Sequence, residues 1–105
     1  MAKTALSKYQ RLEAAGLWRA DAEAQRIDVI VSVGEATLTM TDMRERVQAH
    51  WSIAAIARAN PGQTPAIYHP DGDPGETLEL PEDETDMIAA IETLRNAIAR
   101  QRPRP

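Results

Sequence analysis

The stretch that decides the fold is residues 27–41, which read IDVIVSVGEATLTMT. Apolar residues alternate with polar ones on both sides of a central Gly-Glu dipeptide, a pattern typical of two half-buried β-strands. A two-residue loop with glycine first is typical of a type II′ hairpin turn. This turn predicts that Val31 faces Leu38 and that Val29 faces Met40, so the apolar side chains share one face of the ribbon.

Further strands follow this hairpin. The alternation continues over residues 47–53 and predicts a third strand. Residues 65–69 and 77–80 form a second predicted hairpin, because the residues that join them are almost all turn formers. Residues 53–60 are ambiguous, since their alanines favour a helix but a tight corner followed by a short strand fits equally well. With that short strand counted, the sequence predicts six strands.

Helical periodicity appears at both ends of the chain. Residues 4–15 predict an N-terminal helix, with Gly16 placed as a left-handed C-cap and residues 17–25 as a connector. Residues 84–100 predict a closing C-terminal helix, which Asp83 can cap. Its apolar stripe consists of Met87, Ile88, Ile91, Leu94 and Ile98. The predicted fold class is therefore α+β, with a curved antiparallel sheet or open barrel between two helices.

Composition and length favour one folded domain. The chain has 105 residues, of which 43% are hydrophobic and 27% charged, close to the averages of globular proteins. We expect a single α+β domain over residues 1–100 and a frayed tail over residues 101–105.

Charge and cysteine content narrow the function classes. The absence of cysteine excludes disulfides, zinc-thiolate sites and thiol catalysis, and fits a reducing compartment. No apolar run is long enough for a membrane span, and the N-terminus lacks the apolar core of a signal peptide. A net charge of -4 argues against a nucleic-acid partner. We therefore expect a cytoplasmic protein without a membrane or nucleic-acid partner.

The sequence contains no recognisable catalytic, cofactor-binding or metal-binding motif. Asp71, Asp73 and Glu76 resemble the start of a calcium loop, but Pro74 and Gly75 interrupt the ligand spacing, so an acidic turn is the preferred interpretation. His50 and His69 are the only histidines, and nothing in the sequence places further ligands beside them. The sequence thus predicts no enzyme, no cofactor and no metal.

The two tryptophans are interpreted differently. Trp51 alternates with inward-facing residues of its strand and is predicted to lie in the core. Trp18 and Arg19 fall in the predicted connector, where an exposed indole would indicate a contact site. These two residues are the candidate contact residues of the chain.

From residue 26 to residue 99 the order of elements resembles a bacterial pleckstrin-homology-like domain. The resemblance rests on the hairpin above, on the passage HWSIAAI at residues 50–56, and on ETLEL at residues 76–80 before the closing helix. In that superfamily a curved antiparallel sheet, usually of seven strands, is closed at one end by a C-terminal amphipathic helix. The resemblance thereby favours a strand within residues 53–60.

The chain departs from this resemblance in two respects, the first being that the sequence predicts six strands where the superfamily usually has seven. The hairpin loop Gly34-Glu35 lacks the basic residues that phosphoinositide-binding members carry in their first hairpin loop. The chain also resembles a group of uncharacterised alphaproteobacterial proteins of similar length, through Gly-Leu-Trp-Arg at residues 16–19 and the stretch from Asn60 to Pro70.

The leading hypothesis is a non-enzymatic binding or scaffolding module that recognises a protein or peptide, since an exposed sheet edge can accept an extended segment. The alternative is a small-molecule or anion sensor with a pocket near Trp18. A third hypothesis, an enzyme built on His50, His69 and the turn at Asp71, is disfavoured because no catalytic motif is present. The oligomeric state is left open, with a homodimer among the options.

Overall fold

The structure, a computed structural model, describes residues 12–101 and contains a curled antiparallel half-barrel with one C-terminal helix. The predicted α+β class and the curved sheet are confirmed. The elements in chain order are β1 Glu13–Arg19, β2 Ile27–Val33, β3 Thr37–Asp42, β4 Val47–Ser52, a 3-10 turn Ile53–Ala55, β5 Ile56–Arg58, β6 Ala66–Pro70, β7 Thr77–Leu80 and α1 Thr85–Gln101. No helix within residues 12–101 has the length and apolarity needed to cross a bilayer.

The seven strands form one sheet in the order β4-β3-β2-β1-β7-β6-β5, and every neighbouring pair is antiparallel. β1 lies at the centre, where it pairs with β2 on one side and with β7 on the other. β4 and β5 follow each other in the chain but form the two edges of the sheet, because the 3-10 turn between them redirects the backbone.

The concave side of the sheet carries the core. Alternate residues of the strands point inward, as the two-residue period requires, and the amphipathic face of α1 covers them. The helix contributes Met87, Ala90, Ile91 and Leu94 to this core, while Ile88 and Ile98 pack on it partly buried. Burial of one such aliphatic side chain stabilises the fold by about 1.5–3 kcal/mol, so the closing helix is a major part of the core.

A polar cluster ties α1 to the sheet. The Tyr68 hydroxyl of β6 donates a hydrogen bond of 2.6 Å to Glu92 Oε2, and Arg95 donates to the same carboxylate at 3.1 Å. The guanidinium of Arg58 on β5 lies 5.8 Å from the centre of the Tyr68 ring and 3.9 Å from Glu92 Oε2. The helix is thereby fixed to β5 and β6 by charge as well as by apolar packing.

The predicted N-terminal helix is wrong where the structure describes it. Its residues 13–15 belong to strand β1, Leu12 lies in neither a helix nor a strand, and residues 4–11 of the prediction lie outside the described residues. Residues 17–19 of the predicted connector continue the same strand. Tertiary pairing decides this outcome, because without β1 the facing edges of β2 and β7 would both lack a partner.

Gly16 is therefore no helix cap. It lies within β1, where a Cβ atom would be 3.0 Å from the backbone oxygen of Glu79 and 3.2 Å from a methyl carbon of Leu78. Glycine at this position permits the close approach of β7 to β1. With β1 the sheet has seven strands, one more than the six that the sequence predicts.

The β2–β3 hairpin is confirmed as an element, but its loop lies one residue further along than predicted. Val33 faces Leu38 and Val31 faces Met40, and the Gly34 N–H donates to the Thr37 carbonyl at 3.0 Å. The left-handed residue is Ala36, with φ 54°, rather than the glycine. The shift changes each pairing by two residues and keeps every side chain on its face, so the periodicity could not distinguish the two registers.

Residues 53–58 form a corner and a strand rather than a helix. The chain turns at Ile53–Ala55 and pairs from Ile56 to Arg58 with β6. The second predicted hairpin is β6–β7, and the closing helix begins one residue later than predicted, at Thr85. Gln101, predicted as the start of the tail, still belongs to α1, and residues 102–105 lie outside the described part.

Candidate functional site: the edge strand β4

The two predicted contact residues lie at the end of β1, and Trp18 is buried. Only 8% of its surface is exposed, and its indole Nε1 donates a hydrogen bond of 3.0 Å to Glu76 Oε2. Arg19 Nε donates to the Gly75 carbonyl at 3.0 Å. Both residues therefore hold the loop between β6 and β7 against β1, and Trp18 presents no open indole surface.

Trp51 meets the same carboxylate from the other side. Its Nε1 donates to Glu76 Oε2 at 2.9 Å, and Trp51 is 6% exposed, which agrees with its predicted place in the core. One glutamate oxygen thus joins β1, β4 and the start of β7. No sequence signal could have identified this contact, because Glu76 is 58 residues from Trp18 and 25 from Trp51.

The acidic turn and the histidines do not converge on one site. Asp71 and Asp73 are exposed while Glu76 turns inward to the indoles. His50 lies on β4 and His69 on β6, which are separated by four strands in the sheet order. Within residues 12–101, no group of three or more acidic or histidine side chains could hold a metal ion.

The two edges of the sheet differ in what lies beside them. β5 is three residues long, and α1 runs alongside it, with an open cavity of about 280 Å³ between Ile56, Ala57, Asn96 and Ile98. β4 has six residues and pairs only with β3 among the described strands. Of these two edges, β4 is therefore the one with backbone groups open to an incoming strand.

The register shows which backbone groups of β4 point outward. The Ile53 N–H donates to the Ala36 carbonyl of the β2–β3 loop at 2.9 Å. Because hydrogen-bonding direction alternates along an antiparallel strand, Trp51 also bonds toward β3, whereas His50 and Ser52 direct their N–H and C=O groups to the free edge. A register shift at Met40/Thr41 restricts this regular pattern to residues 49–52.

Side-chain hydrogen bonds hold β4 against other parts of the chain. His50 Nδ1 lies 2.9 Å from Thr39 Oγ1, Gln48 Nε2 donates to Asp42 Oδ2 at 2.8 Å, and the Trp51 indole is held by Glu76. Three side chains of the strand are thus bonded to other parts of the chain. The free backbone edge is ordered before any partner arrives, which lowers the entropic cost of binding.

Asp42 orders the turn that leads into β4. The hydrogen bond from the Arg46 backbone N–H is the largest cause that lowers the pKa of Asp42 below its ordinary value of 3.8, and the Arg44 N–H adds to it. The Asp42 Oδ1 atom accepts these bonds at 3.0 and 2.8 Å. A charged carboxylate at Asp42 therefore holds the β3–β4 turn at neutral pH.

Exposed apolar side chains lie at the start of this edge. Met43 is 60% exposed and Val47 is 63% exposed, the two highest values among the large apolar residues described. The outward-facing side chains of β4, namely Gln48, His50 and Ser52, include no carboxylate, lysine or arginine. An extended partner would therefore find a neutral backbone edge with apolar contacts at one end.

Comparisons with known proteins do not add to this geometry. The chain matches no protein-family model, and a search of curated proteins gives no match either.

Proposed function

We propose that the protein is a non-enzymatic, cytoplasmic binding module that recognises an extended segment of another protein by strand addition at β4. The observation that carries this proposal is the open backbone of His50 and Ser52 on an edge strand whose side chains are already fixed. In this mode, main-chain hydrogen bonds supply affinity and side-chain pockets supply selectivity. Met43 and Val47 offer the apolar contacts.

We further propose that the fold is pleckstrin-homology-like. Seven antiparallel strands in one curled sheet and a C-terminal helix that covers the core support this assignment. The loop between the first two strands, residues 20–26, contains Asp21 and Glu23, and its one basic residue, Arg26, pairs with Glu79 at 3.3 Å. This composition favours a peptide over an anionic lipid headgroup as the ligand.

A random-sequence peptide display library tests strand addition. We expect selected peptides to shift the amide NMR signals of His50 and Ser52 and to bind in an extended conformation. His50→Pro removes the outward N–H at an edge position where proline is tolerated, so affinity should fall about tenfold or more through lost backbone hydrogen bonds.

The matched control is His50→Ala, which keeps the N–H and loses only the side-chain contact with Thr39, so it should bind more tightly than the proline variant. Circular dichroism would establish that both variants are folded. Equal binding by the proline variant, or signal changes confined to other parts of the sheet, would show that β4 is not the docking edge.

A further inference from the structure

A second surface lies on the outer face of the sheet, away from β4. It is an open groove of about 350 Å³, with Ala15, Gly16 and Leu17 of β1 as its floor. Pro65 and Pro81 line it from the loops before β6 and after β7. The lining is mainly apolar, and Leu17 remains 37% exposed.

Carboxylates flank the exposed leucine on both neighbouring strands. Leu17 faces Asp28 of β2 on one side and Glu79 of β7 on the other. Directly opposed residues of antiparallel strands have Cβ atoms about 4.5–5.5 Å apart, so the three side chains form one short row. An apolar contact surface lies between two acids.

The acidic character of this row is only partly neutralised. Glu79 is paired with Arg26 at 3.3 Å, whereas Asp28 is exposed and forms no ion pair within residues 12–101. Two more exposed acids, Glu82 and Asp83, directly follow Pro81 at the end of the groove. A ligand for this groove must therefore combine an apolar side chain with positive charge.

We infer that the groove binds a basic segment of a partner protein, with one apolar side chain over Ala15 and Leu17 and a neighbouring lysine or arginine at Asp28. Charge complementarity selects this occupant, since a second copy of this acidic chain would repel the row. The groove is a different surface from the β4 edge. It lies over β1 and β7, and strands β2 and β3 separate β1 from β4 in the sheet.

Blocked peptides with a central Lys-X-Lys sequence, where X is leucine, methionine, phenylalanine or valine, are the probes. We expect at least one to bind saturably and to shift the amide NMR signals of Leu17 and Asp28. Leu17→Ser and Asp28→Lys should each weaken binding at least about fivefold. Higher salt should weaken binding as well, because the charges are exposed.

The matched control is Ser32→Lys, which adds a lysine to the outer face of β2 two pairs away from the groove. It should bind the peptide with no more than about a twofold change, since screening weakens an exposed charge over that distance. Peptides with Glu-X-Glu or Lys-Ser-Lys should fail to bind.

Any one of the following results would overturn the inference. The first is that none of the four basic peptides binds up to millimolar concentration. The second is equal binding of the acidic peptides, or full binding by both groove variants. The third is binding only by a full-length variant with Lys3, Lys8 and Arg11 replaced by serine, since this would assign the groove to the basic residues of the chain itself.

Discussion

At the scale of single residues, Glu76 joins two tryptophans that lie far apart in the sequence. Its Oε2 atom accepts hydrogen bonds from two indoles that come from β1 and β4, which are not neighbours in the sheet. Trp51 could be placed in the core from the period of its strand, and that prediction is confirmed. Trp18 was expected in a connector, and its burial depends on β7, which lies about sixty residues further along the chain.

Removal of the shared carboxylate should destabilise the fold. Glu76→Ala leaves two largely buried indole N–H groups without an acceptor, so the free energy of unfolding should fall by about 2–4 kcal/mol. Urea unfolding followed by tryptophan fluorescence measures this. Glu82→Ala, at an exposed acid, should change little, and Glu76→Gln should cost less than Glu76→Ala because it keeps an oxygen. A loss for Glu76→Ala no larger than that of the Glu82 control would contradict the role of the contact.

At the scale of elements, the junction of α1 with β6 depends on Tyr68. Burial first, and then the hydrogen bond and charge of Glu92, raise the pKa of Tyr68 well above its ordinary value of 10.0. The tyrosine therefore stays protonated in the folded state when a tyrosine in the unfolded chain would ionise. The protonated Tyr68 therefore makes its full contribution to the free energy of unfolding below pH 10, and this contribution is lost as the pH rises above 10.

Tyr68→Phe should show both the hydrogen bond and its pH dependence. At neutral pH the variant should lose about 1–2 kcal/mol, because Glu92 loses the Tyr68 hydroxyl as a donor and keeps only its arginine contacts. Above pH 10 the wild type should lose stability while the variant lacks this contribution, so the difference between them should shrink. Denaturant unfolding at a series of pH values measures the difference. If the difference in unfolding free energy between wild type and variant stayed constant up to the highest pH measured, the ionisation of Tyr68 would not be linked to folding.

Elements also differ in how well local pattern predicts them. The β2–β3 hairpin and the stripe of α1 follow from periodicity alone, since each buries one face and a wrong period would expose it. Strand β1 did not follow, because its Ala-rich start fits a helix equally well. Residues 53–58 became a corner and a strand because β5 has a partner in β6.

At the scale of the whole molecule, one core connects the sheet and the helix. Ile91 is fully buried, so Ile91→Ala should destabilise the protein by about 2–5 kcal/mol. Helical circular dichroism and tryptophan fluorescence should report the same unfolding midpoint, because α1 and the tryptophans share this core. Thr93→Ala, on the exposed face of α1, is the control and should leave the midpoint nearly unchanged. Loss of the helical signal before the fluorescence change would show that the helix is an independent unit.

The surfaces available to partners also belong to this scale. The open edge at β4 exists because β4 ends the sheet order, and the acidic groove exists because β1 lies between β2 and β7. The sequence led to the hypothesis that a sheet edge accepts a peptide, but it did not identify β4 or β1 as the strand involved. Its candidate contact residues, Trp18 and Arg19, donate hydrogen bonds to Glu76 and to the Gly75 carbonyl.

The sequence by itself determined the elements that bury a periodic face: the β2–β3 hairpin, the third strand, the β6–β7 hairpin and the closing helix. Local periodicity specifies which side of an element is buried, because a side chain on the wrong face loses its burial energy. Only the tertiary structure decided the hairpin register, the identity of β1 and the meeting of Trp18, Trp51 and Glu76. These depend on pairing between residues far apart in the chain, and in each case the local pattern was compatible with more than one answer.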